Sequence, residues 1–98
     1  MINFKDEIVK IFDELLNKDE EVMSIDDIRK NIETPPNYEM GDYAFPVFQL
    51  AKVFRKSPKD IAEDLASKIE NKYFDEVKTQ NGYINFYLNR AEISNYIL

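Results

Sequence analysis

Lys78, Gln80, Tyr83, Asn85 and Tyr87 alternate with apolar residues on either side of Asn81-Gly82. Asn-Gly between two alternating runs is the strongest short hairpin signal, because both residues tolerate positive φ. A two-residue turn pairs Gln80 with Tyr83, Lys78 with Asn85 and Glu76 with Tyr87. It also pairs Thr79 with Ile84 and Val77 with Phe86. The second set is apolar and faces a core, so the first faces outward. An aromatic plane, amides and a cation on one face suit an unstacked nucleic-acid base: the ring stacks, the amides read base edges, and the lysine meets phosphate. Tyrosine and asparagine are also ordinary on the solvated face of a hairpin, so the pattern alone leaves both readings open.

A second group of cations, Lys52, Arg55, Lys56 and Lys59, falls around the junction of two predicted helices. These are candidate phosphate contacts, and equally cations that offset a helix dipole. Gly41-Asp42-Tyr43 forms a third cluster, in which Gly41 supplies a backbone turn and Asp42 caps the following helix.

Other chemistry is excluded by residue type. The chain has no histidine and no cysteine, which removes the commonest general base, thiolate ligands and disulfides. No acidic run has the spacing of a calcium loop. The net charge of −6 is the wrong sign for binding nucleic acid by charge alone. The N-terminus does not read as a signal peptide, and no stretch approaches the ~20 apolar residues of a membrane span. The cytoplasm is therefore the default compartment.

The elements that must position these residues are legible from period and caps. Residues 2–18 carry Phe4, Ile8, Ile11, Phe12, Leu15 and Leu16 at helical spacing behind an Asn3 cap. Ser24 opens a short helix to about Lys30. Ile32-Glu33-Thr34 reads as a short strand running into a loop at Pro35-Pro36. Pro46 suits the first turn of a third helix, with Val47, Leu50, Ala51 and Phe54 on one face and an end near Lys56. Ser57-Pro58 starts a fourth, with Ile61, Leu65 and Ile69 buried to about Asn71. From Arg90 the pattern turns helical again, with Ile93, Tyr96 and Ile97, and stops at Leu98 in mid-pattern. The expected fold is α+β, with helices packed on one face of a small antiparallel β-sheet.

Pro35 to Pro46, with Leu50-Ala51-Lys52, Arg55-Lys56-Ser57-Pro58, Ile61-Ala62 and Gly82-Tyr83-Ile84-Asn85-Phe86-Tyr87-Leu88, resembles the N-terminal domain of arginyl-tRNA synthetases. The resemblance runs from about Phe4 to Leu98. It implies a domain over 1–89 and, over 90–98, the start of a linker helix towards a catalytic domain of Rossmann type. It further implies that the domain leans on the tRNA elbow and contacts the D-loop through the hairpin turn and the strand after it. Carried over, the aromatic position is Tyr83, the amide position Asn85, and the polar turn position Gln80 or Asn81, with Lys78 beside them. Many relatives have Gly-Pro-Gly at the turn, where this chain has Gln80-Asn81-Gly82.

The family's His-Ile-Gly-His-like motif and mobile lysine-rich loop belong to the next domain. The arginine site, and ATP with magnesium, would be found there. The chain alone is expected to perform no chemistry and to hold no cofactor. Its expected partners are arginine-acceptor tRNA and its own catalytic domain. The rival reading is an acidic protein-interaction module without RNA contact.

Overall fold

The computed structural model describes residues 3–90. Among these, four α-helices precede a hairpin: α1 (Phe4–Leu16), α2 (Ile25–Asn31), α3 (Phe48–Phe54) and α4 (Pro58–Ser67). The strands are β1 (Tyr43–Pro46), β2 (Phe74–Gln80) and β3 (Tyr83–Leu88), and a 3₁₀ turn spans Tyr38–Met40. The fold is α+β, as expected. The expected helix beyond Arg90 lies outside the described residues.

The predicted caps form. Asn3, Ser24 and Ser57 each accept a hydrogen bond from the backbone N–H three residues on, and Pro58 opens α4. Each cap satisfies an N–H that the helix itself leaves unpaired. Helix α4 ends at Ser67, short of the expected Asn71. Asn17, just past α1, accepts from the N–H groups of Val22 and Met23 and donates to Asp13 and to the Met23 carbonyl. One amide thus folds the acidic turn back onto the helix.

The sheet is antiparallel, in the order β1-β3-β2. The hairpin register is the one expected from the turn: Gln80 opposite Tyr83, Thr79 opposite Ile84, Lys78 opposite Asn85, Val77 opposite Phe86. Asn81 and Gly82 both take positive φ, 51° and 82°.

Strand β1 corrects the expectation of a loop running into a helix at Pro46. Ala44 exchanges both backbone hydrogen bonds with Glu33 on the side away from β3. Pro46, two residues on, has its nitrogen on that same side, so its missing N–H costs β3 no bond. The expected strand at 32–34 is reduced to this Glu33 bridge. Helix α3 begins one residue after Val47, and Phe54 is exposed rather than buried.

The core lies between the helices and the inner face of the sheet. Ile8, Phe12, Ile28, Leu50, Phe45, Ile84 and Phe86 are all at 0% exposure. Phe12 stacks on Phe45, with ring centroids 4.1 Å apart, and meets Phe86 edge-on. Aromatic pairs of this kind add to simple area burial.

Candidate nucleic-acid interface

The hairpin turn is bolted to the start of α3. The Val47 N–H donates to the Gly82 carbonyl at 3.0 Å. Val47 is fully buried, so its neighbour Phe48 is held at the surface, 44% exposed. The Phe48 ring lies directly over the turn. A β-carbon on Gly82 would come within 2.6 Å of Phe48 Cε1 and 3.2 Å of Pro58 Cβ. Glycine is required here twice, for its φ and for this close approach.

Phe48 also meets Tyr83 edge to face, with centroids 5.6 Å apart and planes at 83°. Tyr83 is half-buried and Gln80 and Asn81 are exposed. Between the turn and the first turn of α4 lies an open groove of about 480 Å³, lined by Phe48, Pro58, Lys59, Gln80 and Asn81 among others. The fold thus unites members of the two sets that the sequence kept apart. Lys59 joins the hairpin residues. Lys56 instead lines a second groove, with Leu15, Phe54 and Lys68. Lys52 and Arg55 are exposed on α3 and at its end, where Arg55 takes a left-handed φ of 55°. None of the four forms an ion pair among the described residues.

Lys78 and Asn85 sit differently from a simple outward face. Lys78 Nζ lies 3.2 Å from a Glu76 carboxylate oxygen and 5.3 Å from the Tyr87 ring centroid. The hydrogen bond to Glu76, followed by that residue's charge, raises the Lys78 pKa. Asn85 follows the outward register, between Tyr83 and Tyr87, yet only 1% of it is exposed. Its Oδ1 is buried with no hydrogen-bond partner among the described residues.

The far end of the same face is covered. The Tyr87 hydroxyl donates to the Glu39 carbonyl, and Tyr38 packs edge-on against the Tyr87 ring at 5.9 Å. Gly41, at φ 93°, lets the backbone approach β3, since a β-carbon there would lie 2.8 Å from the Phe86 oxygen. Asp42 does not cap a helix. Its carboxylate accepts from the Leu88 N–H at 2.9 Å and from Arg90 at 2.7 Å, tying down the end of β3. The intervening strand β1 separates Asp42 from the helix it was expected to cap. Burial, then the Asp42 charge, raises the Tyr43 pKa.

Sequence reasoning did not find Phe48. The available signal was a large aromatic lying off the buried stripe of its helix. Among the described residues, no group of three or more His, Cys, Asp or Glu is placed to hold a metal ion, and no helix is long and apolar enough to cross a membrane.

The family model of the arginyl-tRNA synthetase N-terminal domain matches residues 3–88. The chain belongs to this family. Similar proteins to this synthetase N-terminal domain include the arginine–tRNA ligase of Halothermothrix orenii, 40% identical over all of this chain and 17% of that protein. The arginine–tRNA ligase of Clostridium botulinum is 50% identical over 76% of the chain and 13% of its own length. The chain therefore spans about a sixth of the relatives it matches. The Thermus thermophilus arginyl-tRNA synthetase structure superposes with a TM-score of 0.65 at 24% identity, covering 94% of this chain and 14% of that one. At that identity, the superposition speaks for the shared fold of this synthetase domain.

Proposed function

We propose that this domain is the accessory tRNA-binding module of an arginine–tRNA ligase. It contacts the D-loop and elbow of the tRNA and positions it for ATP-dependent arginylation by a catalytic domain elsewhere in the protein. The domain itself performs no chemistry. Arginine, ATP and magnesium would be held by the catalytic domain, and the cytoplasm is where such an enzyme meets its tRNA.

The observation that carries the reading is the partly exposed Tyr83 ring, which packs on Phe48, while Phe48 itself lines a groove with Lys59, Gln80 and Asn81. Around the turn an unstacked base finds an aromatic ring, two amides and one cation, with the Glu63 carboxylate also on the groove wall. Asn85, the next residue on the same face of β3, supports the reading: its buried carbonyl oxygen lacks a donor among the described residues, and a base edge could supply one. With a net charge of −6, stacking and edge contacts must outweigh phosphate neutralisation.

The test is made in a synthetase carrying this domain. Tyr83→Ala should raise the tRNA KM by the equivalent of about 1 to 3 kcal/mol of base–aromatic stacking. Tyr83→Phe should be milder, since the ring survives. Arginine and ATP binding without tRNA should not change. An early-melting Tyr83→Ala enzyme with unchanged tRNA KM would mean that Tyr83 serves the fold alone.

A further inference from the structure

We infer that Phe48 is a positioning residue for RNA binding: it fixes the plane of the Tyr83 ring before the nucleic acid arrives. The inference rests on the reading of Tyr83 as the stacking platform. A partly exposed tyrosine at a strand end, left without a neighbour to hold it, samples several orientations, and freezing it on binding costs affinity. A side chain already held in the bound orientation avoids that cost.

Phe48 is placed to do this and little else. Its 44% exposure means that its ring contributes only part of its area to the core. Its backbone is nonetheless rigid, because Val47 is buried and bonded to the Gly82 carbonyl at 3.0 Å. From that anchor the ring covers Gly82 and meets Tyr83 at 83°. Edge-to-face contact is the orientation that aromatic quadrupoles favour, so it selects one ring plane for Tyr83 over others. Phe48 is also tied to the geometry of the turn itself. The absence of a side chain at position 82 is what lets the ring sit there, since a β-carbon would stand 2.6 Å from it. Turn, brace and platform form one unit, of which only turn and platform could be read from the hairpin sequence.

A brace and a direct contact make different predictions in a double-mutant cycle, because residues acting through one another are non-additive. The variants are Phe48→Ala, Phe48→Leu, Phe48→Tyr, Tyr83→Ala and the Phe48→Ala/Tyr83→Ala pair, each in a synthetase carrying the domain. The readouts are tRNA KM, kcat and melting temperature. Phe48→Ala and Phe48→Leu should raise KM about two- to tenfold, the scale of an aromatic pair's coupling. Phe48→Tyr should restore wild-type KM, kcat at saturating tRNA should hold, and the double variant should match Tyr83→Ala alone. The leucine variant keeps apolar bulk, so a KM effect there does not reduce to lost stability. A KM penalty of Phe48→Ala that persists in full without Tyr83 overturns the inference, because Phe48 then touches RNA itself. So does an unchanged KM in Phe48→Ala while Tyr83→Ala is impaired. An unimpaired Tyr83→Ala enzyme instead sinks the platform reading and the brace with it.

Discussion

Asn85→Leu should make the domain more stable and a poorer RNA binder at once. Asn85 Oδ1 is buried without a partner, and an unpaired buried acceptor carries a desolvation penalty of about 1–3 kcal/mol. Leucine has nearly the same size and no polar atom to desolvate. The substitution should therefore raise stability by about 1 kcal/mol or more, or roughly 4–8 °C in Tm per kcal/mol for a chain of this length. In the synthetase, the same change removes an acceptor that a base edge would satisfy, so the tRNA KM should rise by the equivalent of about 1–3 kcal/mol. Thermal unfolding followed by circular dichroism, beside steady-state aminoacylation, measures both. A lower Tm would show that the amide anchors the fold. A higher Tm with unchanged tRNA KM would show that the buried oxygen has no RNA partner, and Asn85 would leave the interface.

Two further outcomes test the core and the electrostatics. Phe86→Ala removes a fully buried ring packed against Phe12 and Phe74, and should destabilise by about 3–5 kcal/mol in denaturant unfolding; a loss under about 1 kcal/mol would mean the inner face is not the core. Alkaline pH should weaken the fold through Tyr43, whose pKa is raised above 10.0 by burial and by Asp42. The folded chain holds that proton more tightly than the unfolded chain, so the contribution is complete below pH 10.0 and lost as pH rises through the higher folded value. Lys78, raised by Glu76, acts in the same direction. Tyr43→Phe should flatten the alkaline decline in stability, and an unchanged decline would place its cause elsewhere.

The sequence was most informative where local chemistry has one solution. Asn81-Gly82 permits a two-residue turn, and that turn sets the β2–β3 register from Gln80–Tyr83 out to Glu76–Tyr87, beyond which a bulge before Glu76 shifts it. Asn3, Ser24 and Ser57 start helices because a side-chain oxygen is needed to meet the free N–H groups. Local signals failed where the third dimension decides. Pro46 is as compatible with a helix start as with an edge strand, and only the Glu33–Ala44 pairing on the far side of β1 resolves it. Period two placed Asn85 outward correctly but not its burial. Burial depends on β3 being flanked by β1 and β2, and β1 was not visible. Lys59 and Phe48 meet the hairpin only through the packing of α3 and α4 beneath the turn, which no spacing along the chain encodes.

The strand order carries a kinetic consequence. Among the described residues β3 is the last strand and the central one, and neither β1 nor β2 pairs with another strand. During synthesis the edges of β1 and β2 that face β3 must wait until β3 has emerged. The apolar stripes of α1 and α4 meanwhile have only part of a surface to pack on. Folding should then be a late, concerted event rather than a progressive one, because the contact between β1 and β3 spans some forty residues of chain, as in Tyr43 with Phe86, and the loop must close before any gain. A polypeptide truncated within the β3 segment should resemble an unfolded chain in its protease sensitivity. Adding those last few residues should convert it to the resistant form in one step.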